Sequence, residues 1–102
     1  MNSDQITLNE VMNDGSIVYL YFNRATGLYM AYGFSAFNFH NIAQHKSIDA
    51  VESYSLEMAM PVVQVSKEQL SKVTEQGGDV ISFKTDSVLD REEYKQWVQV
   101  LR

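Results

Sequence analysis

The feature that most limits what this chain can fold into is the run "IVYLYFNRATGLYMAYGFSAFNFHNI", Ile17 to Ile42, which holds eight tyrosine and phenylalanine side chains. That much ring surface has to be covered, and the run changes its apolar period partway along. Ile17 to Phe22 is β-branched and aromatic, "NRATG" supplies turn residues, and Leu28 to Tyr32 is aromatic again. The pattern predicts a β-hairpin with a loop of about four or five residues. Val18, Leu20 and Phe22 fall on one face of the first strand and Ile17, Tyr19 and Tyr21 on the other. Both sets are apolar, so this strand is expected to be central and covered on both sides. Continued to Ile42, the second strand would be roughly three times the usual length. Gly33 is the expected break, with Ser35 as N-cap of a helix over Ala36 to His45, because Ala36, Phe39, Ile42 and Ala43 recur at helical spacing.

The flanking segments complete the order of elements. Leu8, Val11 and Met12 have helical spacing behind Thr7, with Glu10 placed to close a capping box and Asp14-Gly15 as the stop. Ser53 to Met60 alternates Tyr54, Leu56, Met58 and Met60 against Ser53, Ser55, Glu57 and Ala59, which predicts one half-buried strand interrupted by Pro61. Val62 to Val65 resumes extended structure. A helix then starts at the N-cap Ser66, with Gln69 closing a capping box, Val65 and Leu70 as staple, and Gly77 as the left-handed stop. Val80 to Lys84 reads as a short strand. Asp90 caps a last helix, Glu93 sits at N3, Leu89 can staple to Tyr94, and Tyr94, Trp97, Val98 and Leu101 form one apolar stripe. The expected class is α+β, with an α/β-type mixed sheet of about five strands flanked by helices.

The chain of 102 residues is expected to be a single domain, long enough to bury one core without a metal or a disulfide. Cysteine is absent, which excludes disulfides, thiolate ligands and a cysteine nucleophile. The first eleven residues include two acidic and no basic side chains and no apolar run, unlike a secretory signal, and no membrane span is expected; the expected location is cytoplasmic. A net charge of −5, with no two basic residues adjacent, opposes non-specific attraction to a polyanion.

Catalytic patterns are lacking. His40 and His45 are five apart and face different sides of a helix, unlike a two-histidine metal site. Asp90, Glu92 and Glu93 suit a helix start, and "GGD" at Gly77 to Asp79 has neither a Walker nor a dinucleotide pattern. The expectation is a protein that is not an enzyme and needs no cofactor and no metal.

In order and wording, residues 18 to 84 resemble the N-terminal mismatch-recognition domain (domain I) of the MutS family of DNA repair proteins. That family has a hydrophobic strand turning through a Gly into a Phe-Tyr-Glu strand and an acidic-Ala helix start, where this chain has "YLYFNRATGLYMAYGFSA". A Met-Ala-Gly-Val-Pro segment, a leucine-bearing helix, a Gly and a Val-rich strand follow in the family, and here "MAMPVVQVSKEQLSKVTEQGGDVISF". The resemblance implies a stand-alone recognition-type domain, with the helix over 90 to 102 as an addition. In the family the Phe of Phe-x-Glu stacks on a mispaired base and the Glu hydrogen-bonds to it. The matching positions are Leu28 and Met30, with no ring and no strong acceptor, so mismatch readout is not expected.

Two functions follow as expectations. One is a small protein-interaction or homodimerisation module that docks through an apolar hairpin face or through the Tyr94, Trp97, Val98 and Leu101 stripe. The other is a module that contacts duplex DNA at the hairpin end, with Leu28 or Met30 as an apolar wedge and Arg24 on a phosphate.

Overall fold

The computed structural model describes residues 3–86 and 88–102. In chain order they form α1 (Ser3–Val11), β1 (Ile17–Asn23), β2 (Leu28–Tyr32), α2 (Gly33–Lys46), β3 (Val51–Ser55), β4 (Met60–Ser66), α3 (Lys67–Leu70), β5 (Val80–Lys84) and α4 (Arg91–Leu101). The aromatic run is a hairpin followed by a helix, as its change of period requires. Asn23 shapes the turn: its Oδ1 accepts from Ala25 N at 2.9 Å, and its carbonyl accepts from Gly27 N at 2.8 Å. Gly27 has a φ of 72°, and the strands close on the pair Asn23 and Leu28.

The five strands lie in the order β3-β4-β2-β1-β5. The expected mixed sheet does not form, because all four pairings are antiparallel. The connection through α2 brings β3 in parallel to β2, but the following hairpin inserts β4 between them with the opposite direction. β2 is the middle strand, and β1 lies between it and β5.

Several expected boundaries shift. Ser53 to Met60 is not one strand: a turn at 56–59 divides it, with Ser55 opposite Met60. Ser55 Oγ accepts from Met58 N at 3.1 Å, and Ala59 takes a φ of 55° to reverse the chain. The turn residues Leu56 and Met58 continue the alternation of residue types even though the pairing puts Ser55 and Met60 on one face, so the pattern hides the turn. Pro61 does not interrupt a strand but sits within β4 opposite Tyr54. α1 starts at Ser3, which leaves Thr7 inside the helix rather than at its cap. α2 starts at Gly33 with Tyr32 at the N-cap, so Ser35 is in its first turn. Ser66 does cap α3, accepting from Gln69 N at 3.2 Å, but the Gln69 side chain accepts from Asp49 N instead of returning to the cap. α3 is a single turn, and the left-handed glycine after it is Gly78, at φ 100°, not Gly77.

The main core lies between the sheet and α2. Phe39, Ala36 and Ala43 of α2 pack on Val18, Leu20, Ala31, Val63, Val65 and Ile81. α4 covers the same side of the sheet. Tyr94 meets Phe34 edge-on at 4.9 Å between ring centres, and Trp97 stacks on His40 at 5.0 Å. Asp90 caps α4 by accepting from the amides of Glu92 and Glu93, at 2.9 and 3.1 Å.

Candidate binding face

The other face of the sheet is built from the alternate residues of the same strands. Tyr19 and Tyr21 of β1, Met30 and Tyr32 of β2, and Met60 and Val62 of β4 form a second apolar cluster, joined by Met58 from the β3-β4 turn. Among the described residues only α1 covers it, through Ile6. Tyr21 and Val62 are buried, but Tyr19, Met30, Met58 and Met60 stay half-buried. The rings of Tyr19 and Tyr21 stack at 6.4 Å with 12° between planes, and Tyr32 tilts against Tyr21 at the same distance. Beside them is an open hollow of about 420 Å³, bounded by Ile6, Tyr21, Met30, Tyr32, Arg24 and Asp79.

The polar atoms of this face are arranged to hold its shape. Tyr21 Oη accepts from Asn9 Nδ2 at 2.8 Å, which ties α1 to β1. Met30 Sδ receives Asn23 Nδ2 at 3.3 Å and the Tyr32 hydroxyl at 3.7 Å. Burial pushes the Tyr21 phenol up to about 12 and raises that of Tyr32, with the nearby Glu57 carboxylate adding to the latter. Both phenols are therefore neutral at physiological pH and act as hydrogen-bonding groups, not as bases.

The placement of α1 rests on a buried carboxylate. Glu10 lies beneath the start of α2, where Oε1 accepts from Ser35 N at 3.2 Å and Oε2 from Ser35 Oγ at 2.6 Å. It thus supplies the cap that Tyr32 lacks, from a different helix. Asn13 Nδ2 donates to the Ile17 carbonyl at 2.8 Å, and Tyr19 N donates to Ser35 Oγ at 2.9 Å. Gly33 makes the approach possible: its φ is 60°, and a Cβ there would lie 3.3 Å from both Glu10 Oε1 and Met60 Sδ. Burial raises the Glu10 pKa, partly offset by its bonds from Ser35 and Asn13.

The residues singled out in the sequence are distributed as follows. Arg24 and Met30 border the same hollow, and Leu28 projects on the same face two residues from Met30. Leu28 borders a different, shallower hollow of about 310 Å³, whose wall includes Asp49, Gln64 and Gln69 and no basic side chain. Arg24 reaches Asp79 at 3.3 Å, with both side chains largely exposed. Tyr94, Trp97, Val98 and Leu101 are the half-buried residues of α4 and face its own domain, where Trp97 Nε1 donates to Glu52 Oε1 at 3.2 Å. His40 pairs with the other oxygen of Glu52 while His45 is exposed, and among the described residues no cluster of three potential ligands could hold a metal.

Tyr21, Tyr32, Met58 and Met60 were not among the residues marked by sequence as site candidates. Their signal was present in the strand alternation, since a strand apolar on both faces needs a cover on both. No protein-family model, curated protein or solved structure matches this chain. Among the described residues no helix is long and apolar enough to cross a membrane.

Proposed function

We propose that this chain is a non-enzymatic binding module that takes a protein partner on the tyrosine and methionine face of its sheet. The observation that carries the reading is the half-covered cluster of Tyr19, Met30, Met58 and Met60, of which Met30 lines the adjoining 420 Å³ hollow together with Tyr21 and Tyr32. Tyrosine offers area with few rotatable bonds, and methionine adapts to irregular apolar shapes, so the pairing suits a protein side chain anchored in the hollow. The two perturbed phenols are held neutral, which favours binding over proton transfer.

The likeness to the MutS recognition domain enters as the idea of a recognition module whose readout positions, Leu28 and Met30, have become part of an apolar surface. Arg24 is engaged by Asp79, and the Leu28 hollow carries Asp49, an arrangement that suits a protein better than a phosphate backbone.

The test is a peptide-display selection on the wild type with counter-selection on Met30→Lys, run beside a duplex-DNA titration at physiological salt. The proposal expects enriched peptides with an apolar or aromatic anchor that no longer bind the variant. Peptides indifferent to Met30→Lys, or duplex binding that weakens in Arg24→Ala and Met30→Ala, would overturn it, the latter in favour of the DNA module.

A further inference from the structure

The methionines differ in what surrounds their sulfur. Met58 and Met60 are half-buried on the open face and Met12 is 77% exposed, yet among the described residues only Met30 has a sulfur that receives hydrogen bonds. Asn23 Nδ2 points at it from 3.3 Å and the Tyr32 hydroxyl from 3.7 Å. The Asn23 amide is fixed in that orientation, because its Oδ1 accepts from Ala25 N at 2.9 Å. The hydroxyl of the buried Tyr32 has no other hydrogen-bond partner among the described residues. A thioether is a weak acceptor, so two donors are committed to an atom that satisfies neither well. A sulfoxide oxygen is a strong acceptor, and one added to Met30 has both donors at hand.

The sulfur is within reach of a small oxidant, since Met30 lines the open hollow with Tyr21 and Tyr32. With hydrogen peroxide, a sulfur lone pair attacks one peroxide oxygen, and the S–O bond forms as the O–O bond breaks. The departing oxygen takes the proton of the oxygen that is transferred and leaves as water, so sulfur is oxidised and the peroxide reduced. Charge separates on the way, positive at sulfur and negative at the departing oxygen, and donors beside the sulfur stabilise that separation. Met58 has no such donors. Met60 Sδ and Glu10 Oε1 both lie 3.3 Å from where a Cβ on Gly33 would stand, so an oxygen on Met60 faces a carboxylate, which opposes it.

We propose that Met30 is a site of reversible oxidation, that Asn23 and Tyr32 receive the sulfoxide oxygen, and that the modified side chain closes the tyrosine and methionine face to an apolar partner. The fold is kept, because the new oxygen is hydrogen-bonded where it forms. The face turns from apolar to polar at the residue that joins the cluster to the hollow. A thiol-driven sulfoxide reductase reverses the step, with the oxygen leaving as water while two thiols join in a disulfide. The effect on a partner rests on the binding function proposed above; the site of oxidation does not.

The experiment is a time course with hydrogen peroxide at neutral pH, in which peptide mass spectrometry reads the sulfoxide fraction at each methionine in wild type, Asn23→Asp, Tyr32→Phe and the double variant. Asn23→Asp keeps the acceptor for Ala25 N, Tyr32→Phe keeps the ring, and circular dichroism checks that all of them fold. The expected result is that Met30 is oxidised ahead of Met58 and Met60 in folded wild type, with the dichroism spectrum retained, and that this lead is lost in the double variant and in urea-unfolded protein. Met30 oxidised no faster than Met58 and Met60, or a lead unchanged in the double variant, would overturn the site. Once the peroxide is removed, display-selected peptides are expected to lose binding in step with the Met30 sulfoxide fraction and to regain it after reductase treatment. Binding retained with Met30 oxidised, or lost in step with Met58 or Met60 instead, would overturn the switch. The mass spectra are read with no partner present, so failure of the oxidation site and failure of the binding face are told apart.

Discussion

The two faces of one sheet differ in how they are closed. On the α2 side, Val18, Leu20, Ala31, Phe39, Val63 and Ile81 have no solvent exposure, and two long helices seal the layer. On the α1 side, the same strands present rings and thioethers of comparable size, yet among the described residues one nine-residue helix is their only cover. The first face uses small and branched residues that interlock, as a close-packed core requires. The second uses residues that tolerate a changing neighbour. A sheet with both faces apolar and only one sealed has one side closed and one side left partly open.

The contrast can be broken most severely on the sealed side. Phe39→Ala should destabilise the protein by about 3–5 kcal/mol, read from urea or guanidinium unfolding, because a fully buried ring leaves a cavity. Next in size is the strut beneath the open face: Glu10→Ala leaves Ser35 and Asn13 donors without their acceptor in a buried site and should cost about 1–3 kcal/mol. Glu10→Gln sharpens the point through pH. The native state raises the Glu10 pKa above its ordinary 4.5, so the folded form holds the proton more tightly than the unfolded one. Its contribution is full below about pH 4.5 and lost as pH rises through the raised value, so the stability of wild type relative to Glu10→Gln should fall as pH rises from about 4.5 through the raised value and level off above it. Unfolding midpoints of the two proteins measured side by side give that difference.

Smaller again is the cap of α4, where Asp90→Ala should lower stability by about 0.5–2 kcal/mol in thermal or chemical unfolding. The smallest effect on folding is expected on the open face itself: Met30→Ser should change stability by about 1 kcal/mol or less while abolishing the binding of selected peptides. An open face that proved as costly to mutate as the sealed one would mean that it is a second core and not a binding surface.

Much of this architecture is legible in the sequence, and the reasons are local. The order of helices and strands followed from the aromatic hairpin, the change of period at Gly33, the Ser66 and Asp90 caps, and the β5 run. The place where β3 divides from β4 was not, because Leu56 and Met58 carry the alternation of residue types through the turn at 56–59 and its αL position is held by Ala59 instead of a glycine. The antiparallel character of the whole sheet was also hidden, since it depends on that unseen turn. Glu10 shows a further limit: its spacing from Thr7 suggested a local cap, whereas it caps α2 across the fold. Arg24 and Met30 were singled out by the hairpin end and by the resemblance, but the cluster that Met30 joins includes Tyr32, Met58 and Met60, brought together only by the pairing of β2 with β4.

The most direct test of the binding face is methyl NMR of methionine-labelled protein titrated with a peptide from the display selection. The account predicts that the Met30, Met58 and Met60 methyl signals move and saturate together while that of Met12, exposed just after α1, stays in place. Binding that leaves those three signals unchanged would contradict it and place the partner elsewhere on the molecule.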